Sequence, residues 1–256
     1  MSAPGHGGDC AAMYPATASW PSAPCRARYS PSTRAEPAAG IDSSGVRASS
    51  RDRRHDRCSK FEAHPLGSTA SATAYQAIEA ARLDTGHVIL VNGASGGVGQ
   101  SAIQFAVHEG ARVLATAAPD VAGHLRDLGA HETLDFTAAP VAEQVPAAHP
   151  DGIDAVLDLI THPGGDIDAF AALLKPGGRL ISTNHAVDPG ALAAREIHGV
   201  NLSSSPSQAE LGALADLTAA GKLRVTVDAE ISLADAPAAV ARARSGHARG
   251  KTVILL

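Results

Sequence analysis

From Ala63 onward the chain alternates between two kinds of apolar pattern. Runs such as "HVILV", "ARVLATA" and "DAVLDLI" are short and nearly continuous, as suits strands buried on both faces. Segments such as "ATAYQAIEAARL" and "VAGHLRDLG" instead space their apolar residues as a helix packed on a sheet does. In order, the pattern predicts a helix through "ATAYQAIEAARL", strand "HVILV", a helix from Gly97 to Glu109, strand "ARVLATA" and helix "VAGHLRDLG". It continues with strand "ETLDF", a short helix near Val141, strand "DAVLDLI", helix "DAFAALL" and strand "RLIST". Strands alternating with helices indicate βαβ units and right-handed crossovers, hence an α/β fold with a doubly wound parallel sheet. After "GVNLSSSPS" come a helix "QAELGALADLTAAG", a strand-like "LRVTVDAEIS", a helix "LADAPAAVARARSG" and a closing apolar strand "KTVILL". These last elements extend the same sheet or belong to another domain, and pattern alone leaves both open.

Residues 1–62 have a different texture. Stretches such as "SAPCRARYSPSTRAEPAAG" and "RASSRDRRHDRCSK" show no sustained period, so this segment is expected to be low-complexity and disordered. The cluster Arg51, Arg53, Arg54 and Arg57 is expected to be a solvated tail. Composition narrows the classes further. A chain of 256 residues with 45% hydrophobic content can bury a core, while a formal charge of -5 offers no basic field for nucleic acid. No apolar run approaches the length of a membrane span and no secretory signal stands at the front, so a cytoplasmic location is expected and a membrane is not. Cys10, Cys25 and Cys58 lack metal-site spacing, and no metal is expected.

The candidate chemistry lies in "VNGASGGVGQSAIQFA", from Val91 to Ala106. An apolar strand runs into a glycine-rich bend and then into a helix, with Gly93, Gly96 and Gly99 in a G-x-x-G-x-x-G spacing. A helix N-terminus carries unpartnered N–H groups and the positive end of the macrodipole, so an anion can rest there, and glycine removes the Cβ that would block its approach. Taken alone such a turn also serves purely steric ends.

Read together, "TAYQAI", "VILVNGASGGVGQSAIQFA", "GARVLATA", "LRDLGAHETLDF", "DAVLDL", "LLKPGGRLIS" and "SGHARGKTVILL" closely resemble the zinc-independent medium-chain dehydrogenase/reductases, nearest to the quinone oxidoreductase and zeta-crystallin-like branch. The resemblance covers about Ala63 to the end. It implies a Rossmann domain over 63–205 that binds NADPH, with the pyrophosphate against Gly93, Ala94, Ser95, Gly96, Gly97, Val98 and Gly99. It further implies that Thr73 and Asn184 approach the nicotinamide, that Thr116 lies near the adenosine ribose, and that no zinc is used. Each of these three has an ordinary alternative: Thr73 bonded to its own helix, Thr116 as a β-branched strand residue, Asn184 as a turn former. The implied reaction is hydride transfer to a quinone or conjugated carbonyl, a small-molecule substrate, in a protein that forms a homodimer through a sheet edge. No catalytic residue is assigned; His185, beside Asn184, is the one histidine placed where the cofactor is expected.

Two features depart from the family. No acid stands at Ala115, Thr116 or Ala117, which tilts the choice toward NADPH, yet Pro119 and Asp120 occupy the place of the basic residue that NADPH users often carry, so NADH stays open. The family's GroES-like substrate domain would precede the nucleotide domain, and residues 206–256 would return to complete it; with 1–62 in its place, an incomplete catalytic domain and a truncated front end are expected. The alternative from another class is a dinucleotide-binding remnant that acts, if at all, through association. A methyltransferase lacks its acids, with Asn92 and Thr116 near their positions, and a short-chain dehydrogenase lacks its Tyr-x-x-x-Lys.

Overall fold

The structure, a computed structural model, describes residues 68–245 and 249–255. The expectations for 1–62 lie outside the described residues.

The first helix, α1 (Ser68–Ala81), buries Ala70, Ala74, Ala77, Ile78 and Ala81 along one stripe, the spacing of a helix laid on a neighbour. Alternating strands and helices follow: β1 (Val88–Asn92), α2 (Gly97–His108), β2 (Arg112–Thr116), α3 (Pro119–Asp127) and β3 (Glu132–Leu134). The second half comprises α4 (Val141–Ala148), β4 (Ile153–Asp158), α5 (Asp168–Ala171), β5 (Leu174–Ser182), α6 (Pro189–Ala193) and β6 (His198–Asn201). The six strands lie in the order β3-β2-β1-β4-β5-β6 and every pairing is parallel. That is the strand order of the doubly wound Rossmann sheet, as the sequence predicted. Ile89, Leu90 and Val91 of β1, Val156 and Leu157 of β4, and Leu180 and Ile181 of β5 have no exposed surface, because helices cover both faces.

Strand β6 and the short helix α6 escaped the sequence pattern, and one strand begins earlier than the pattern placed it. The stretch around "GVNLSSSPS" contains a strand, β6, whose side chains are only half-buried, so it lacks the apolar run that marks its neighbours. Strand β5 also begins earlier than "RLIST": Leu174 pairs with Ile153, the chain kinks through Gly177 at φ +81°, and pairing resumes at Arg179 beside Ala155. Residues that break a strand in sequence are absorbed here as an irregularity in register.

The chain ends in α7 (Gln208–Ala219), β7 (Val227–Ser232), α8 (Ala236–Arg244) and β8 (Lys251–Leu255). Ser207 caps α7 in a reciprocal box with Glu210. Strands β7 and β8 pair with each other in parallel and form a separate two-stranded sheet, so they do not extend the large one. Among the described residues after Leu223 none is buried. Polar contacts therefore hold this segment: Gln104 Nε2 donates to the Arg224 carbonyl at 2.9 Å while Arg224 N–H donates to Gln104 Oε1 at 2.8 Å. One turn earlier on α2, Gln100 Nε2 donates to the Arg249 carbonyl at 2.8 Å.

Candidate functional site

In a doubly wound sheet the strand order reverses between β1 and β4, and ligands lie in the crevice beyond the carboxyl ends of the strands there. The glycine turn stands at this point. Gly93 takes φ +88°, and a Cβ on it would lie 2.9 Å from Ile160 of the loop after β4. Gly99 permits a closer contact: a Cβ there would come within 2.5 Å of the Gly93 carbonyl oxygen and the Ala94 Cα. Gly96 differs from both, since its nearest neighbour would be the Gly93 oxygen at 3.6 Å. Gly93 and Gly99 thus build the turn, and Gly96 keeps space above it open.

Gly96 is also the N-cap of α2, in extended conformation and with no side-chain cap. The first intrahelical bond is Gln100 N–H to the Gly96 carbonyl at 3.0 Å, so the N–H groups of Gly97, Val98 and Gly99 point out of the helix end. Ala94 is fully buried beneath, and the Ser95 carbonyl accepts from Gln100 Nε2 at 2.7 Å. A cation completes the cradle. Lys251, the first residue of β8, passes its aliphatic chain 3.4 Å from where a Cβ on Gly97 would sit, and burial lowers its pKa from the usual lysine value. Backbone donors, the helix dipole and a half-buried lysine side chain lie together at this helix end, an arrangement suited to a phosphate.

The other residues implicated by the sequence take different parts. Thr116, at the end of β2, is buried, and its hydroxyl accepts from the Gly93 N–H at 2.9 Å, bracing the turn from below. Thr73 donates to the Thr69 carbonyl at 2.8 Å within its own helix, one turn from Ala70, which packs beside Gly97. Asn184 stands beyond β5, its Nδ2 donating to the Leu159 carbonyl at 3.2 Å, and so ties the loops after β4 and β5 together. His185 follows at φ +58° with its Nε2 3.1 Å from the Ser203 hydroxyl.

Sequence reasoning passed over a buried polar pair at the switch point. Asp158 closes β4 with no exposed surface, accepting from Asn92 Nδ2 at 2.7 Å and from the Thr161 N–H and hydroxyl, both at 3.1 Å. The carboxylate fixes the loop that carries Ile160, an apolar side chain 58% exposed over Gly93. Lys251 was missed as well; its signal was a lone cation heading an otherwise apolar last strand. Among the described residues no group of three or more His, Cys, Asp or Glu is placed to hold a metal ion, and no helix is long and apolar enough to cross a membrane.

Residues 128–254 match the family model described as zinc-binding dehydrogenase. Among the described residues no such group of side chains stands ready for the zinc that this description names. The mitochondrial NAD(P)H oxidoreductase RTN4IP1 of Danio rerio is 32% identical over 191 residues, covering 65% of this chain and 48% of that protein. Its Homo sapiens counterpart is 31% identical over 198 residues, covering 66% and 48%. The quinone oxidoreductase of Coxiella burnetii superposes with a TM-score of 0.66 at 29% identity, over 73% of this chain and 58% of that one. The mycobacterial protein Rv1454c, complexed with NADPH, gives a TM-score of 0.63 at 26% identity, over 73% and 62%. The chain spans about half the length of the curated relatives it matches. Its sheet order, its glycine turn at the switch point and these likenesses agree: the chain belongs to the medium-chain dehydrogenase/reductase family, in the quinone oxidoreductase-like group.

Proposed function

We propose that the chain binds a nicotinamide dinucleotide, NADPH in preference to NADH, across the carboxyl ends of its large sheet, as the nucleotide-binding part of an oxidoreductase. The observation that carries this is the uncapped N-terminus of α2 at the switch point, kept open by Gly96 and flanked by Lys251. The pyrophosphate would rest on the N–H groups of Gly97, Val98 and Gly99, with the Lys251 ammonium supplying counter-charge. The adenosine half would lie over β2 and the nicotinamide half over β4 and β5, toward Asn184 and His185. A bound dinucleotide supplies a hydride, here to a quinone or conjugated carbonyl. The protein's part is to orient and to exclude water: Thr116 braces the turn, Asp158 fixes the Ile160 loop, and Ile160 offers an apolar wall.

The remaining parts of the proposal are the small-molecule substrate, a homodimer formed through an open edge of the sheet, action without zinc, and a cytoplasmic location. In it, 63–205 is the nucleotide domain and 206–256 the segment that returns toward a substrate domain. The test is titration of the purified protein with NADPH and NADH by nicotinamide fluorescence, followed by addition of a simple quinone. Binding followed by oxidation supports the whole. Binding without oxidation favours a non-catalytic dinucleotide-binding protein, and binding of neither cofactor refutes the site.

A further inference from the structure

Hydride transfer to a conjugated carbonyl leaves negative charge on its oxygen, so a reduction of the proposed kind also needs a proton. His185 stands just past the end of β5, exposed, with its backbone at φ +58°. Among the described residues, Arg82 and Glu196 are the other non-glycines at positive φ, and each closes a helix, where a left-handed residue is an ordinary stop. His185 follows a strand instead. Glycine or asparagine would suit that backbone better, and strain of this kind concentrates at functional sites.

The loop is gripped on both sides of this residue. The buried Ser182 hydroxyl accepts from the N–H groups of its two neighbours, Asn184 at 3.2 Å and Ala186 at 3.3 Å. Asn201 of β6 holds Val187 at both backbone groups: its Oδ1 accepts from the N–H at 3.2 Å and its Nδ2 donates to the carbonyl at 2.9 Å. Asn184 Nδ2 donates to the Leu159 carbonyl, beside Ile160 and the glycine turn. The imidazole is oriented as well, its Nε2 lying 3.1 Å from the Ser203 hydroxyl oxygen. In the protonated ring Nε2–H donates to that oxygen, and Nδ1–H, without a partner among the described residues, is left for a ligand. A single proton donor is thereby fixed at the carboxyl edge of the sheet.

We infer that His185 is the acid of the reduction, giving its Nδ1 proton to the carbonyl oxygen of the substrate, with Ser203 orienting the ring. This rests on the proposed dinucleotide site and adds the group that completes its chemistry. As a conjugated carbon accepts the hydride pair, the C=O π electrons move onto oxygen, and that oxygen bonds the proton as the N–H bond breaks. A quinone thus becomes a hydroquinone, and an enone becomes an enol that relaxes to the saturated ketone. The imidazole is left neutral and regains its proton from water.

Carbon-13 spectra of the full chain labelled at histidine test the placement, with His185→Asn assigning the His185 signal. Asparagine suits the left-handed backbone and carries no acidic proton. NADPH is expected to shift the His185 signal, and adenosine 2′,5′-bisphosphate, which lacks the nicotinamide, to leave it in place. His185→Asn should bind NADPH within about twofold of the original while reducing menadione or 2-cyclohexenone about a hundredfold more slowly. Ser203→Ala should lose part of that rate, and Ser203→Thr, which keeps the hydroxyl, should retain it. A His185 signal that ignores NADPH while others follow it, or that answers both ligands equally, would overturn the inference. So would an unchanged rate in His185→Asn, or an unsubstituted protein that binds NADPH and reduces neither probe. If no signal answers either ligand, the dinucleotide site itself falls and this assignment with it.

Discussion

The glycines of the turn separate construction from binding, and two single substitutions expose the difference. In Gly99→Ala the new methyl would sit 2.5 Å from the Gly93 carbonyl oxygen and the Ala94 Cα, and 2.8 Å from the Ala94 carbonyl carbon. All three are backbone atoms, so relief requires moving the end of α2 away from the turn by an amount on the order of 1 Å. Overpacking of this kind costs about 1–3 kcal/mol, or a Tm lower by roughly 2–12 °C for a domain this size. In Gly96→Ala the methyl has no neighbour nearer than 3.6 Å, and the backbone sits at an ordinary φ of -76°. The fold should lose no more than about 1 kcal/mol, the difference between glycine and alanine at an N-cap. The same methyl intrudes on space over the free N–H groups. Loss of one charge-assisted hydrogen bond there, about 1.5–3 kcal/mol, raises the NADPH dissociation constant roughly ten- to hundredfold. Differential scanning fluorimetry and fluorescence titration on both variants make the test. Gly99→Ala should lose stability and binding together, and Gly96→Ala binding alone. A Gly96→Ala protein that binds NADPH within about twofold of the original would refute the placement of the pyrophosphate at this helix end.

Lys251→Met should weaken dinucleotide binding by about tenfold through loss of a charge-assisted contact, and the pH dependence identifies the cause. Burial lowers the Lys251 pKa, a bound phosphate favours the ammonium, and so affinity is full below the lowered value and falls as pH rises through it toward 10.5. That alkaline loss should vanish in Lys251→Met; its persistence would assign the titration elsewhere. Gln104→Leu leaves both the Arg224 N–H and its carbonyl without their partner, at a cost of about 1–3 kcal/mol, and hydrogen exchange should quicken first in residues 222–255. Asp154 tests stability in acid. Burial raises its pKa, but the Val88 N–H at 2.7 Å and the Lys175 ammonium at 2.9 Å outweigh that and bring it below the ordinary 3.8. Its stabilising contribution is therefore complete above 3.8 and lost as pH falls through the lowered value, and urea titrations of Asp154→Asn should show a flatter acid limb.

The large sheet was legible because its strands are buried on both faces, and continuous apolar runs such as "HVILV" and "DAVLDLI" have few other uses. The glycine turn was legible for a related reason: Gly93 and Gly99 answer to backbone geometry within a few residues of themselves. Strand β6 was not, since it lies at the sheet's border with half-buried side chains and carries no comparable run. The hydroxyl of Thr116 shows a subtler limit. Its position at the end of β2 was readable, but whether it turned toward a ligand or under the turn depended on where Gly93 N–H pointed. Pairs such as Asn92 with Asp158, or Gln100 with Arg249, join residues far apart in the chain, and no local pattern marks either partner.

Those distant pairs also give the terminal segment its place in the site. With none of the described residues after Leu223 buried, hydrophobic burial contributes little to holding β7, α8 and β8 against the large sheet. The hold comes from Gln100 and Gln104 on α2 and from His124 on α3, whose Nε2 lies 3.1 Å from the Thr226 hydroxyl. Lys251 is carried by this same segment to the glycine turn. A dinucleotide resting on the N–H groups of α2 and on Lys251 would then bond to both sides of a junction that is otherwise held by a few hydrogen bonds. Binding and docking of the segment become linked equilibria: ligand stabilises the docked state by its differential affinity, and a substitution that loosens docking weakens the ligand in proportion to the docked fraction it removes. On that basis Gln104→Leu, remote from any phosphate, should raise the NADPH dissociation constant, and saturating NADPH should restore the slow exchange of residues 222–255.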